Sequence, residues 1–107
     1  MTHEELLAIV QEAWLNLDAT ELLKHIHEDF VYDSQWVFAS MPAKDYPKYI
    51  TGKFETIKRT GAFVEVEKVK DPYYSGYMLR FKQRQDVAFL RIREKDGQIV
   101  KMDMCMF

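Results

Sequence analysis

The chain has one cysteine, Cys105, among its 107 residues, so no intrachain disulfide can staple it. Stability must come from a core, and a chain of this length is expected to build one domain, spanning residues 1–107. Prolines are confined to Pro42, Pro47 and Pro72, and no linker, repeat or low-complexity tract is evident. With only four glycines there is no Gly-rich phosphate loop. No apolar run approaches the roughly 18 residues of a membrane span, so no membrane partner is expected. The first residues, Met1-Thr2-His3-Glu4-Glu5, lack the basic region and apolar run of a secretory signal, which predicts a cytoplasmic location. Basic charge is not in excess either. Fifteen Lys and Arg against 17 Asp and Glu give a net −2, which offers phosphates no attractive field. Arg80, Lys82, Arg84, Arg91 and Arg93 cluster, but Asp86, Glu94, Asp96 and Asp103 dilute them, so no nucleic-acid partner is expected. His3, His25 and His27 come without a cysteine pair or HExxH spacing. Neither a metal site nor a cofactor is expected.

What the sequence does have is apolar and aromatic bulk. Hydrophobic residues make 48% of it, far from the composition of a disordered chain. Seven Phe, six Tyr and two Trp are enough to fill a small core or to line a pocket. Thr2 and Glu5 have the spacing of a capping box, and Leu6, Val10, Ala13, Trp14 and Leu17 repeat at helical intervals after it. Asp18 and Glu21 repeat the capping spacing before a shorter helix with Leu22, Leu23 and Ile26, and His25 to Asp29 form a polar exit. Phe30–Trp36 reads as a first strand. Tyr46, Tyr49, Ile50, Phe54 and Ile57 predict a third helix over about 43–60, with Pro47 in its first turn and Gly61 at its end. Gly52 inside this helix is expected to serve close packing.

Four strands are predicted over about 62–70, 73–83, 86–94 and 98–106. In the last pair, Ala88, Leu90 and Ile92 share one face, and Val100, Met102, Met104 and Met106 share one face. Both sets reach one core only if even residues pair with even ones, and a three-residue loop Lys95-Asp96-Gly97 satisfies that, with Gly97 at positive φ. The opposite face then carries Val87, Phe89, Arg91, Arg93, Ile99, Lys101, Asp103, Cys105 and Phe107. An apolar centre with a charged rim predicts a homodimer through this outer face of the sheet.

Helix, helix, strand, helix and then four antiparallel strands is an order that resembles the NTF2-like superfamily, which includes ketosteroid isomerases and polyketide-cyclase-like proteins. Ile9–Asp18 looks like its first helix and following turn, His27–Asp33 like the entry to its first strand, and Asp96–Met102 like its closing hairpin. The resemblance implies an α+β, cystatin/NTF2-like cone, with three N-terminal helices packed on a strongly curved antiparallel β-sheet and a pocket at the open end. In the isomerases a first-strand carboxylate moves a proton, while a tyrosine and a neutral acid hold the oxyanion. By the resemblance, Asp33 falls near the carboxylate position, Ala13 at the tyrosine position, and Ala88 or Phe89 at that of the acid. Two of three roles are missing, which argues against steroid-isomerase chemistry.

Three functions stay open. The first is binding of a small apolar molecule in the cone, lined by Trp14, Trp36, Tyr46, Tyr49, Met102 and Met104. The second is an isomerase, cyclase or hydratase using Asp33 as general base, since flanking aromatics in FVYDSQW could desolvate its carboxyl. The third is a homodimeric interaction module whose cone is filled.

Overall fold

In a computed structural model that describes residues 1–35 and 39–106, three helices lie against a six-stranded curved sheet. Helix α1 (His3–Asn16) starts at the expected capping box. Thr2 Oγ1 accepts the Glu5 N–H at 3.2 Å, and the Glu5 carboxylate accepts the Thr2 N–H at 3.1 Å. Leu6, Val10, Ala13 and Trp14 form its buried stripe, joined by Leu7. Helix α2 (Thr20–Leu23) is a single turn. It ends early because the backbone turns into a strand, and the His25 carbonyl already accepts the Ile99 N–H at 2.8 Å. Strand β1 (Ile26–Ser34) therefore begins inside the stretch expected to be a polar exit. A short strand β2 (Ala39–Pro42), not expected from the sequence, pairs antiparallel with β1. Helix α3 (Tyr46–Thr60) then begins three residues later than expected, with Pro47 in its first turn.

Strands β3 (Glu65–Lys70), β4 (Tyr77–Gln83), β5 (Asp86–Lys95) and β6 (Gln98–Met106) complete the sheet in the order β2-β1-β6-β5-β4-β3. All neighbours are antiparallel except β1 and β6, which run parallel. Strand β4 starts at 77 rather than 73 because residues 71–76 form a pinned loop. The Asp71 carboxylate accepts the N–H groups of Tyr73 (2.9 Å) and Tyr74 (3.2 Å), and Gly76 has a φ of 96°.

The last hairpin keeps the expected even-with-even pairing, Leu90 with Met104 and Ile92 with Met102, but reaches it differently. Its turn is the two residues Asp96 and Gly97, at φ 54° and 75°, and Lys95 pairs with Gln98. The odd residue is a bulge at Val100, since Arg93 pairs with Lys101 and Glu94 with Ile99. Bulging turns Ile99 into the core, where it is fully buried, so Ile99 leaves the outer face on which the sequence pattern placed it. Phe107, also placed on that face, lies outside the described residues.

Gly52 is a second correction. A Cβ added there would meet nothing within 4 Å, so close packing does not require it. Replacing a mid-helix glycine by alanine removes chain entropy from the unfolded state and clashes with nothing here. Gly52→Ala is therefore expected to stabilise the fold by about 0.5–1 kcal/mol, read as a higher urea midpoint at unchanged slope.

Candidate functional site

The volume between α3 and the sheet contains aromatic rings of the chain itself. Alternation along β1 turns Phe30, Tyr32 and Ser34 inward. Helix α3 lowers Tyr46 onto them, with ring centroids 4.8 Å from Phe30 and 5.2 Å from Tyr32. Tyr49, one turn further along α3, lies 5.5 Å from Tyr32 and 6.3 Å from Tyr46. Each close ring pair contributes about 0.5–1.5 kcal/mol beyond its buried area. Tyr46 is 1% exposed, and its hydroxyl donates to Met102 Sδ at 3.5 Å. Burial raises the Tyr46 hydroxyl well above the ordinary phenol pKa. Tyr32 shifts the same way, mainly through burial and then through its neighbour Tyr49. Tyr49 is half-buried, and burial raises its hydroxyl too, against a hydrogen bond from Tyr32. All three are neutral phenols over the physiological range, able to donate hydrogen bonds but not to serve as proton-abstracting bases.

The residues expected to line a pocket are thus only partly brought together. Tyr46, Tyr49 and Met102 meet in this cluster. Met104 is buried one residue pair further along β6, paired with Ser34 and Leu90. Trp14 belongs to a separate group, edge-on to Phe54 at 5.0 Å and to Phe81 at 4.7 Å. Trp36 lies outside the described residues. Phe30 and Tyr32 were missed as members, although the alternation of Phe30, Tyr32 and Ser34 was there to be read.

Asp33 sits between those inward residues and so points to the other side of the sheet. Its side chain is 41% exposed on the outer face, with Lys101 Nζ 3.5 Å from Oδ2. The same ammonium lies 3.7 Å from Asp103 Oδ1. Phe30 and Tyr32 therefore lie on the opposite side of the strand from this carboxylate. His25 lies in the turn before β1. His27 is buried at the start of β1, its Nδ1 accepting the Asp29 N–H at 3.0 Å and its Nε2 3.6 Å from Asp96. Among the described residues no group of three or more His, Cys, Asp or Glu could hold a metal ion. No described helix is long and apolar enough to cross a membrane.

The most strongly built polar cluster is elsewhere. Arg91 on β5 reaches the buried Asp71 with two hydrogen bonds, Nε to Oδ2 at 2.6 Å and a second nitrogen to Oδ1 at 3.0 Å. Tyr74 covers the guanidinium with its ring centroid 4.7 Å away. The sequence does not signal this pair, since the two residues are 20 positions apart, Asp71 in the loop after β3 and Arg91 within β5.

No model of a protein family and no curated protein matches the sequence. Solved structures do match it across nearly its whole length. A SnoaL-like protein of unknown function from Burkholderia thailandensis superposes with a TM-score of 0.73 at 14% identity, covering 97% of this chain and 92% of that one. An NTF2-like protein of unknown function from Cytophaga hutchinsonii gives 0.67 at 9% identity, over 100% and 91%. A proposed polyketide cyclase from Sinorhizobium meliloti gives 0.67 at 13%, over 94% and 93%. The chain has the NTF2-like cone fold. At these identities the likeness concerns the backbone and not the chemistry.

The Asp71–Arg91 pair yields a pH prediction. Hydrogen bonding to Arg91, followed by the loop amides and opposed by burial, lowers the Asp71 carboxyl from the ordinary 3.8 to about 2. Folding thus favours the ionised form, and its contribution is complete above about pH 4 and disappears as pH falls towards 2. That contribution is on the order of 2 kcal/mol. Asp71→Asn is expected to be destabilised at pH 7 and to show a flatter stability profile between pH 4 and 2 than the wild type in urea titrations.

Proposed function

We propose that the protein is a homodimer-forming interaction module whose cone is filled by its own aromatic side chains. The observation that carries this reading is the stack of Phe30, Tyr46 and Tyr32 between α3 and the sheet, with Tyr46 sealed onto Met102. Its packing leaves the outer face of the sheet as the other large surface on which to act. That face presents half-buried Val87, Phe89 and Cys105, ringed by Arg93, Lys101, Asp103 and Asp33. It is narrower than the sequence pattern suggested, since Ile99 is in the core and Arg91 is held by Asp71. An apolar centre with a charged rim still favours symmetric self-association. On this reading Asp33 is a rim charge and not a general base. A cytoplasmic location without nucleic-acid partners goes with it, in keeping with the net charge of −2.

A second reading, binding of a small apolar molecule, draws on the half-buried Tyr49, whose hydroxyl stands beside that of Tyr32 at the rim of the cluster. The two are separated by experiment. Light scattering after size exclusion is expected to give twice the 12.8 kDa chain mass at tens of micromolar, and Phe89→Asp is expected to return it to the monomer with helical signal retained. A monomer in the wild type would sink the dimer. A melting temperature raised several degrees by an apolar probe such as a steroid, and abolished by Tyr49→Ala, would move the assignment to the second reading. Turnover lost in Asp33→Asn but not in Asp103→Asn would restore the general base.

A further inference from the structure

Strand β3 is an edge of the sheet, and its backbone polarity can be read from the loop beyond it. The Asp71 N–H donates to the Gly76 carbonyl at 3.1 Å, and this pair continues the β3–β4 register that matches Lys70 with Tyr77. Odd-numbered residues of β3 therefore aim their N–H and C=O at β4, and Val66, Lys68 and Lys70 aim theirs outward. Only the Val66 carbonyl meets a partner there, the Gln11 side-chain amide at 3.3 Å. Among the described residues the Lys68 N–H and C=O have none.

Beside this open edge lies a cleft of about 430 Å³, walled by Trp14, Leu17, Ile57, Phe63 and Val66. Phe63 stands 75% exposed at its lip. An unpaired edge next to an apolar cleft is the arrangement that accepts an extended peptide by strand addition. Charge decides which peptide. Glu65 and Glu67 share one face of β3, and Lys68 and Lys70 lie on the other with Val66. A second copy pairing by a two-fold axis would keep each face on its own side, so Lys68 and Lys70 would share a face with their own copies and Glu65 with its own, Glu67 being already held by Arg80 of β4 at 2.7 Å. This edge is thus guarded against itself, as edge strands commonly are, while remaining complementary to a different strand.

We infer that the β3 edge binds an extended peptide segment of another protein. The segment carries Lys or Arg on the face meeting Glu65, since Glu67 is already held by Arg80 of β4. On the other face it carries an acidic residue beside Lys68 and a large apolar side chain seated in the Trp14–Phe63 cleft. The Glu65 side of this edge belongs to the same outer face as Phe89, two strands away, while Lys68 and the Trp14–Phe63 cleft, with Val66, lie towards the opposite face.

The test is selection of a displayed library of random linear decapeptides on the wild-type protein, followed by anisotropy titration of the enriched peptides. Enriched sequences are expected to alternate basic residues with acidic and bulky apolar ones. Lys68→Pro removes the outward N–H at an edge position where proline is tolerated, and Phe63→Ala removes the lip of the cleft. Each is expected to weaken binding at least about tenfold, and Glu65→Lys to weaken basic peptides selectively. Should Lys68→Pro fail to fold by circular dichroism, Phe63→Ala and Glu65→Lys, both at exposed positions, still decide the matter. Failure to enrich any peptide, or enriched peptides indifferent to the variants, would overturn the inference. A self-association that Lys68→Pro abolishes in sedimentation would assign the edge to a second copy and overturn it as well.

Discussion

Strand β6 is the constraint on which the rest of the molecule depends. It lies between β1 and β5, parallel to the first and antiparallel to the second, and both registers must be satisfied by one backbone. The two-residue turn at Asp96-Gly97 starts the return in a register that would send Met102 and Met104 to the outer face. One extra residue, Val100, reverses this, so Ile99, Met102 and Met104 all face inward. A slip by one residue would expose the whole set, which is why the register is strongly specified. Tyr46 then finds Met102 beneath its hydroxyl, and the aromatic cluster closes around it.

Much of this was legible in the sequence because the patterns were periodic and their punctuation agreed. The capping box at Thr2 and Glu5, the stripe from Leu6 to Trp14, and the matched faces of Leu90, Ile92, Met102 and Met104 all appear as expected. The bulge was not legible, since a three-residue loop and a two-residue turn plus one bulged residue give the same parity at Met102. They differ only at Ile99 and Val100, which are both apolar and cannot vote. Asp71 was invisible for another reason. Asp71-Pro72 reads only as a break, with a strand starting at Tyr73, until the distant Arg91 is known to hold the Asp71 carboxylate. Strand β1 was placed too late because its first buried position is a polar residue, His27, whose Nδ1 accepts the Asp29 N–H. In the candidate site, Tyr46, Tyr49 and Met102 came together as their periodicity implied. For Asp33, adjacency in sequence is not adjacency in space: residues next to each other along a strand lie on opposite faces, so Phe30 and Tyr32 face the core while Asp33 faces the other way.

The cone fold hosts many chemistries, and what distinguishes one member from another is how its interior volume is used. Here that volume is shared by two aromatic groups, Trp14 with Phe54 and Phe81, and Tyr46 with Phe30 and Tyr32. The hydroxyls of the second group turn to each other or to sulfur, and no described buried side-chain polar atom is left without a partner. A packed and satisfied interior of this kind shifts the interest of the molecule to its surfaces.

The parallel pairing of β1 with β6 also has a kinetic side. Residues 26–34 pair with the short, nearby β2 on one side but meet their longer neighbour in residues 98–106, so that edge waits for some seventy intervening positions before it is covered. Contacts so far apart in sequence carry a large loop-closure entropy and place this chain among the slower folders of its size. During synthesis, β1 would emerge with Phe30 and Tyr32 uncovered. Local helices α1 and α3 and the sequence-adjacent pairs β1–β2, β3–β4, β4–β5 and β5–β6 can form early, whereas the β1–β6 pairing has to wait for the last strand.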